Sequence, residues 1–407
     1  MIRYLLGTFL LVYPASGQEW TRFRGPNGQG ISEAKSIPFQ WTEANYNWKI
    51  TLPGTGHSSP VIWGETVFVT CADREKACGR LLALSVAEGK TLWQKEYQLS
   101  EGKLNRQNDY AAATPVVDSD CVYVLWGGTD KTVLVALDHS GKEVWNRSFG
   151  GAHCPHGPSA SPIILGDVLV FSQEHEMDLD PGDGTWFGVD RKTGDPKWQI
   201  PRKTGPKTSY STPCVFTPQG SPPQLIFTSL SHGITGVDPV QGIVLWEAGK
   251  AFEARVVSSP VILTRDLVAG TCGKRLVAVR PGALPEPVEA YRIQDVRTPY
   301  VPTLLVKDDL LFGFQDSGYV SCWRSGTGEL VWREKTAGKY FGSPVWVNGA
   351  IYCITTEGEV VVIKAAPKYE LLATNPLGEK SEATPAVAGG RMFLRTLSHL
   401  ICVGSGK

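Results

Sequence analysis

Short apolar runs alternate with polar turns along most of the chain. Val345-Trp346-Val347 leads into Asn348-Gly349 and then Ala350-Ile351-Tyr352-Cys353-Ile354. Aromatic and branched residues on both sides of a two-residue Asn-Gly turn predict a β-hairpin. Thr355 to Glu359 form a polar turn, and Val360-Val361-Val362-Ile363 predicts a third strand. The same order recurs upstream, where a Gly followed four residues later by a Trp turns the chain into a fourth strand. The copies are Gly89/Trp93, Gly141/Trp145, Gly194/Trp198, Gly242/Trp246 and Gly328/Trp332. Helical periodicity is nearly absent.

A second marker keeps time with the first. A small hydroxyl residue precedes Pro at Ser59-Pro60, Thr114-Pro115, Ser161-Pro162, Thr212-Pro213, Ser259-Pro260, Ser343-Pro344 and Thr384-Pro385. Val301-Pro302 is read as filling the gap in this series, so that successive prolines lie 41 to 55 residues apart. Four short antiparallel strands in a period of this size describe a β-propeller blade. A blade cannot bury both faces of its own sheet, so blades must stack radially and close. Eight Pro positions predict an all-β, eight-bladed propeller. Trp48, in the lone strand Asn47 to Leu52, is expected to complete the blade whose other strands lie between Ala383 and Val403. Two units lack the Gly-to-Trp phrase, around residues 278–293 and 363–372; Tyr291 is the candidate substitute in the first. Trp48, Trp93, Trp145, Trp198, Trp246 and Trp332 are expected to fill the gaps between blades.

Gly188-Val189-Asp190-Arg191-Lys192-Thr193-Gly194 followed by Trp198 resembles the tryptophan-docking motif of quinoprotein-type (PQQ-like repeat) propellers, Ala-x-Asp-x-x-Thr-Gly-x-x-x-Trp. Ala83 to Trp93, Gly236 to Trp246 and Cys322 to Trp332 keep its spacing, and Ala136 to Trp145 is one residue short. The Phe23-Arg24-Gly25-Pro26-Asn27-Gly28 opening is similar to that of exported quinoprotein-like propellers of bacteria. The resemblance implies a fold, and it leaves the chemistry to be argued from the site.

The N-terminus changes the picture of location. Met1-Ile2-Arg3, an apolar run from Tyr4 to Tyr13, and Ala15-Ser16-Gly17 before Gln18 read as a secretory signal peptide over residues 1–17. No Cys stands near the cut, which argues against a bacterial lipid anchor. The expectation is an exported protein, periplasmic or extracellular, without an integral membrane segment and monomeric. Residues 18–46 read as a turn-rich segment wrapping the surface, and residues 47–407 as the single propeller domain. The glycines of Gly25 to Gly30 lack the flanking strand and helix of a dinucleotide-binding loop.

Charge narrows the partners further. Lys plus Arg equals Asp plus Glu at 40 each, so there is no basic field for nucleic acid. Nine cysteines contain no C-x-x-C pair. Cys71 and Cys78 flank a charged loop at a spacing open to a hairpin disulfide; most of the others read as reduced core residues.

Loops leading into the inner strands, and those joining the second and third strands, share one face of a propeller. His57, Asn108, Asp109, Tyr110, His153, His156, Tyr210, Arg255, Tyr300 and Tyr340 are expected there from the first set. Asp130, Glu174, His175, Glu176, His232, Gln315, Asp316 and His399 are expected from the second. Among these, His57, Asp109, His153, His156, His175, Tyr210 and His232 are the candidate ligand-binding residues. Imidazoles and a carboxylate at His153, His156, Glu174 and His175 are a candidate metal set, with hydrogen-bonded polar loops as the plainer reading. Asp178, Asp180 and Asp183 leave calcium open.

Three functions stay in view. The first is a non-catalytic exported propeller that binds a protein, peptide or glycan on its channel face. The alternative is a quinoprotein dehydrogenase using pyrroloquinoline quinone (PQQ) and a divalent metal such as calcium, in which the cofactor carries the redox chemistry. The resemblance implies for that class a vicinal disulfide and a Glu/Asn/Asp calcium set; the sequence has no adjacent cysteines and no matching set. The third is an assembly scaffold like the propeller lipoprotein of outer-membrane protein insertion. The sequence shows no recognisable base and nucleophile pair, and the binding reading is preferred over catalysis.

Overall fold

The computed structural model describes residues 20–404 apart from 101–104, 106–107, 129–130, 153, 155, 158, 177–182, 204 and 283–285. The described residues form eight antiparallel sheets in a closed ring. Blade 1 comprises Val61–Trp63, Thr66–Asp73, Cys78–Ser85 and Thr91–Gln98, ordered from the axis outwards. Blades 2 to 7 follow in sequence at residues 116–148, 163–202, 214–248, 261–294, 305–335 and 345–376. Blade 8 joins the two ends of the chain. Its inner strands are Ala386–Ala388, Arg391–Arg395 and His399–Gly404, and its outermost strand is Tyr46–Thr51, with Trp48 opposite Cys402.

Each blade alternates side chains between two neighbours, so the core lies between blades. Trp48 donates its indole N–H to the Val86 carbonyl of blade 1, and Trp93 to His139 of blade 2. Trp145, Trp198 and Trp332 make the same bond to Arg191, Pro239 and Ala366 of the following blades. The partner Gly must be a Gly for two reasons. Gly242 has φ +66°, and a Cβ there would meet the Trp198 ring at 2.4 Å.

The irregular units find other solutions. Tyr291 donates its hydroxyl to the Ser325 carbonyl at 2.7 Å and packs on Gly328, so it does replace a Trp. Trp246 is buried against Val277 and Val279 of blade 5. Its indole bonds to Gln224 in its own blade, and the sequence of blade 5 lacks the Gly-to-Trp phrase that supplies the usual docking turn. Blade 7 has no Trp in its outer strand; Trp41 from the N-terminal segment is buried there, stacked on Tyr352.

Three readings need correction. Thr303-Leu304, not Val301-Pro302, occupies the hydroxyl-Pro position of blade 6, since that inner strand starts at Leu305. Cys71 and Cys78 are both free thiols. Cys71 lies opposite Arg80 and Cys78 opposite Asp73, so the two are diagonal neighbours, a separation of roughly 7–8 Å that is too wide for a disulfide.

The third correction concerns residues 20–32, expected on the surface. They plug one end of the axial channel. Ile62 of blade 1 donates to the Trp20 carbonyl, and Val117 of blade 2 to that of Thr21. Arg22 reaches the Pro213 carbonyl, and Asn27 pairs both ways with the backbone of Val215 in blade 4. Gln29 bonds Ile262 of blade 5, Arg24 the Leu304 and Pro344 carbonyls, and Gly30 the Trp346 amide of blade 7. Ile31 and Ser32 then add a parallel strand to blade 7. Only the stretch beyond, around Trp41, runs between the blades as a wrap.

Candidate functional site

The hydroxyl-Pro series builds the inner wall of the channel. The backbone N–H of Ser59 donates to Thr114 Oγ1, Thr114 to Ser161 Oγ, and Ser161 to Thr212 Oγ1. The relay continues through Thr212 to Ser259, Ser259 to Thr303, Thr303 to Ser343 and Ser343 to Thr384, every bond lying between 2.9 and 3.0 Å. A hydroxyl suits this position because it is small and accepts a bond from a buried N–H at the crowded axis. Pro fits the next position because its nitrogen needs no partner.

The residue two places before each ring hydroxyl faces the axis. These are His57, Ala112, Ser159, Tyr210, Val257, Val301, Phe341 and Glu382, one from each blade junction, and Phe23 of the plug lies beneath them. The channel is therefore a blind pit of about 520 Å³, and Asn108, His156, Arg255, Tyr300 and Asp316 add to its mouth. This size is typical of sites that enclose a small ligand or a few residues of a peptide.

Of the candidate ligand-binding residues, His57, His156 and Tyr210 line the pit. His156 meets the Tyr210 ring edge-on at 5.5 Å. Arg255 lies 6.0 Å from the centre of the same ring and donates to Glu176 Oε2 at 2.6 Å. Lys207 donates to the other oxygen of Glu176 at 2.7 Å, so one carboxylate serves two cations. Burial, with Arg255 nearby, lowers the His156 pKa. Glu176 is held low by Lys207 and Arg255 against the opposing effect of burial.

Across the pit, His57 Nδ1 lies 3.5 Å from Glu382 Oε2. Burial and then Arg395 depress the His57 pKa to about 4, while burial raises that of Glu382 to about 7. Both shifts favour the uncharged forms of the two groups.

The other candidates lie apart. Asp109 ties its loop to the preceding one, accepting from Thr55 Oγ1 as well as from the Ala111 amide. His232 packs on Trp186, with Nε2 at 3.1 Å from the Lys203 carbonyl and Nδ1 near Glu247. Glu174 accepts from the Trp186 indole and the Ser209 amide. His399 pairs with Glu379. His175 is half-buried and engaged with its surroundings. Tyr340 is fully buried, and its neighbour Phe341 takes the axial place. His153, Asp130, Asp178 and Asp180 lie outside the described residues. Among the described residues no group of three or more His, Cys, Asp or Glu side chains could hold a metal ion, and His153 of the candidate set lies outside them.

Phe341 and Glu382 were missed. The signal that finds them is the offset of two residues from the ring hydroxyl, which His57 and Tyr210 also obey.

A closed ring of eight blades with tryptophan-docking turns and an axial pit defines a PQQ-like propeller. The chain belongs to the family described as outer membrane protein assembly factor BamB, which it matches over residues 79–334 and 316–403. Among solved structures it is similar to BamB from Moraxella catarrhalis, with 15% identity, a TM-score of 0.62, and coverage of 87% of this chain and 98% of that one. It is also similar to the quinohemoprotein alcohol dehydrogenase from Comamonas testosteroni, with 13% identity, a TM-score of 0.69, and coverage of 97% and 81%. At such identities the likeness describes the fold alone. No curated protein matches the chain. No helix among the described residues is long and apolar enough to cross a membrane.

The dehydrogenase neighbour makes PQQ and calcium worth testing against the lining. Calcium takes six to eight oxygen ligands, usually with several carboxylates among them. Among the described residues the pit offers Glu382 and Asp316 from different blades, and burial disfavours the ionised form of Glu382. Arg255, the one Lys or Arg among the described lining residues, is already bonded to Glu176. These residues do not fit a calcium–quinone pair.

Proposed function

We propose that this protein is an exported binding propeller that uses the blind pit to hold a peptide segment of a protein partner. The observation that carries this reading is the plug. Phe23 closes the channel beneath one side chain from every blade junction, so the axis offers a receptacle rather than a passage. The lining mixes aromatic rings, imidazoles, amides and one guanidinium, which suits a peptide better than a redox cofactor. Family membership favours a protein partner over a glycan. The signal-peptide reading of residues 1–17 supports the exported location.

A photo-crosslinking amino acid placed at Phe341, inside the pit, should capture a polypeptide in the native host. The same probe at the exposed outer-strand residue Val288 should not. Equal capture at both positions counts against the pit. Dye-linked alcohol oxidation by the purified protein with PQQ and calcium would favour the dehydrogenase reading instead.

A further inference from the structure

The pit has one wall rich in unused donors. Tyr210 is 9% exposed, and its hydroxyl oxygen lies near the His156 amide and the Cys154 thiol, while its O–H finds no acceptor of good geometry among the described residues. Arg255, beside it, binds Glu176 through Nη2 and leaves its buried Nε–H without a partner. A buried donor without an acceptor keeps its full desolvation penalty, so two on one cavity wall point to a group that enters from solvent.

The charges nearby say what sign that group has. Glu176 balances only one of Arg255 and Lys207. Arg22 and Arg24 in the plug, and Arg395 behind His57, are buried guanidiniums whose hydrogen bonds run to carbonyl and hydroxyl oxygens. None of the three has a carboxylate partner among the described residues. Burial lowers the pKa of Arg22, Arg24 and Arg395 only to about 10, 9 and 10, so all keep their charge at neutral pH. Glu382 and Asp316 face the pit from its other side, and Asp109, bonded to Thr55, offsets part of the Arg395 charge at a distance. A low-dielectric cleft focuses such an excess of positive charge towards its interior.

We propose that the pit captures the free C-terminal carboxylate of a peptide, with Arg255 Nε–H and Tyr210 O–H as its donors. This rests on the reading of the pit as a peptide receptacle and names what it recognises. A channel closed by Phe23 lets no chain pass through, so an inserted peptide must stop there, and a chain end stops with a carboxylate. A guanidinium donor and a phenol donor on one wall suit the two oxygens of that group.

The test uses a pool of N-acetylated pentapeptides, randomised at the inner positions and prepared as free acids or as C-terminal amides. Peptides retained by the immobilised full chain are counted by mass spectrometry. Free acids should be retained at least about tenfold over amides, a ratio equivalent to about 1.4 kcal/mol. Tyr210→Phe removes only the unpartnered hydroxyl; it should bring the ratio close to one and leave the melting temperature unchanged. Arg255→Lys, which keeps the charge facing Glu176 but loses Nε–H, should lower the ratio as well. Equal retention of acids and amides overturns the carboxylate and spares the peptide receptacle. Retention of amides only when they carry an inner Asp or Glu, at the level of the free acids, assigns the donors to a side chain and overturns the chain end. No retention of either pool, with crosslinking at Phe341 intact, overturns this inference alone.

Discussion

Trp246 donates its indole N–H to Gln224 Oε1 at 2.8 Å, inside its own blade, whereas Trp198 donates to the Pro239 carbonyl of the next one. Two tryptophans at equivalent positions thus do different work, and paired substitutions separate them. Trp198→Phe strands a buried carbonyl and should destabilise by about 1–3 kcal/mol beyond the packing change. Trp246→Phe frees the half-exposed Gln224 amide, which can turn to water, and should lose less. Urea denaturation of the two variants decides the matter, and the reverse order would refute the docking role.

Asn27 imitates a strand. Its side-chain amide donates to the Val215 carbonyl at 2.7 Å and accepts from the Val215 N–H at 2.8 Å. Asn27→Ala should leave both backbone groups without partners and destabilise the chain by about 2–4 kcal/mol, taking each orphaned group at its usual desolvation penalty. Asn27→Asp keeps the acceptor only and should fall between. A melting temperature indifferent to both changes would mean the plug is not seated in solution.

Ring closure depends on Tyr46–Thr51. Removing this strand exposes the edge at His399–Gly404 and takes Trp48 out of its contacts with Phe393 and Val86. Because the blades form a circle, the loss should spread to the whole ring. Amide exchange should rise in blades 1 and 7 as well as in blade 8. Protection lost only in blade 8 would show that the blades are independent.

Glu382 supplies a pH prediction. Its folded pKa, raised by burial to about 7, lies above the ordinary value of 4.5. Between those two values the unfolded carboxyl has ionised while the folded one still holds its proton, so stability falls as pH rises and the penalty is complete above about 7. Glu382→Gln removes a penalty of about 1–3 kcal/mol, allowing for its partial exposure. The variant should be more stable than the parent at pH 8 and equal to it at pH 4. A variant less stable at pH 8 would mean that the ionised carboxylate is held by a favourable partner.

The blades were legible because a propeller repeats one set of local instructions. Asn348-Gly349 and the Gly-to-Trp phrases are short-range signals, and the Trp48 strand could be placed by the strand missing at the other end. The plug was not legible. Arg22, Arg24 and Asn27 look like ordinary loop polars, and their acceptors lie on strands hundreds of residues away. Val301-Pro302 misled because Pro was taken as the marker, whereas the hydroxyl that accepts the neighbour's N–H is what the axis requires; Thr303 satisfies it. The site was half legible. Loop assignment brought His57, His156 and Tyr210 to the pit, but it could not see that Asp109 and His232 spend their hydrogen bonds on neighbouring segments such as Thr55 and Lys203.

The plug also bears on how the molecule is made. Residues 20–30 leave the ribosome before any blade exists, yet their hydrogen bonds go to blades 1, 2, 4, 5, 6 and 7. Their seat is complete only when the last of those blades has been synthesised. The earliest part of the folded chain is therefore among the last to be seated, and the nascent ring passes through a stage open at both ends. A molecule held at that stage would still be a propeller, but a hollow one, with no floor for a ligand to rest on.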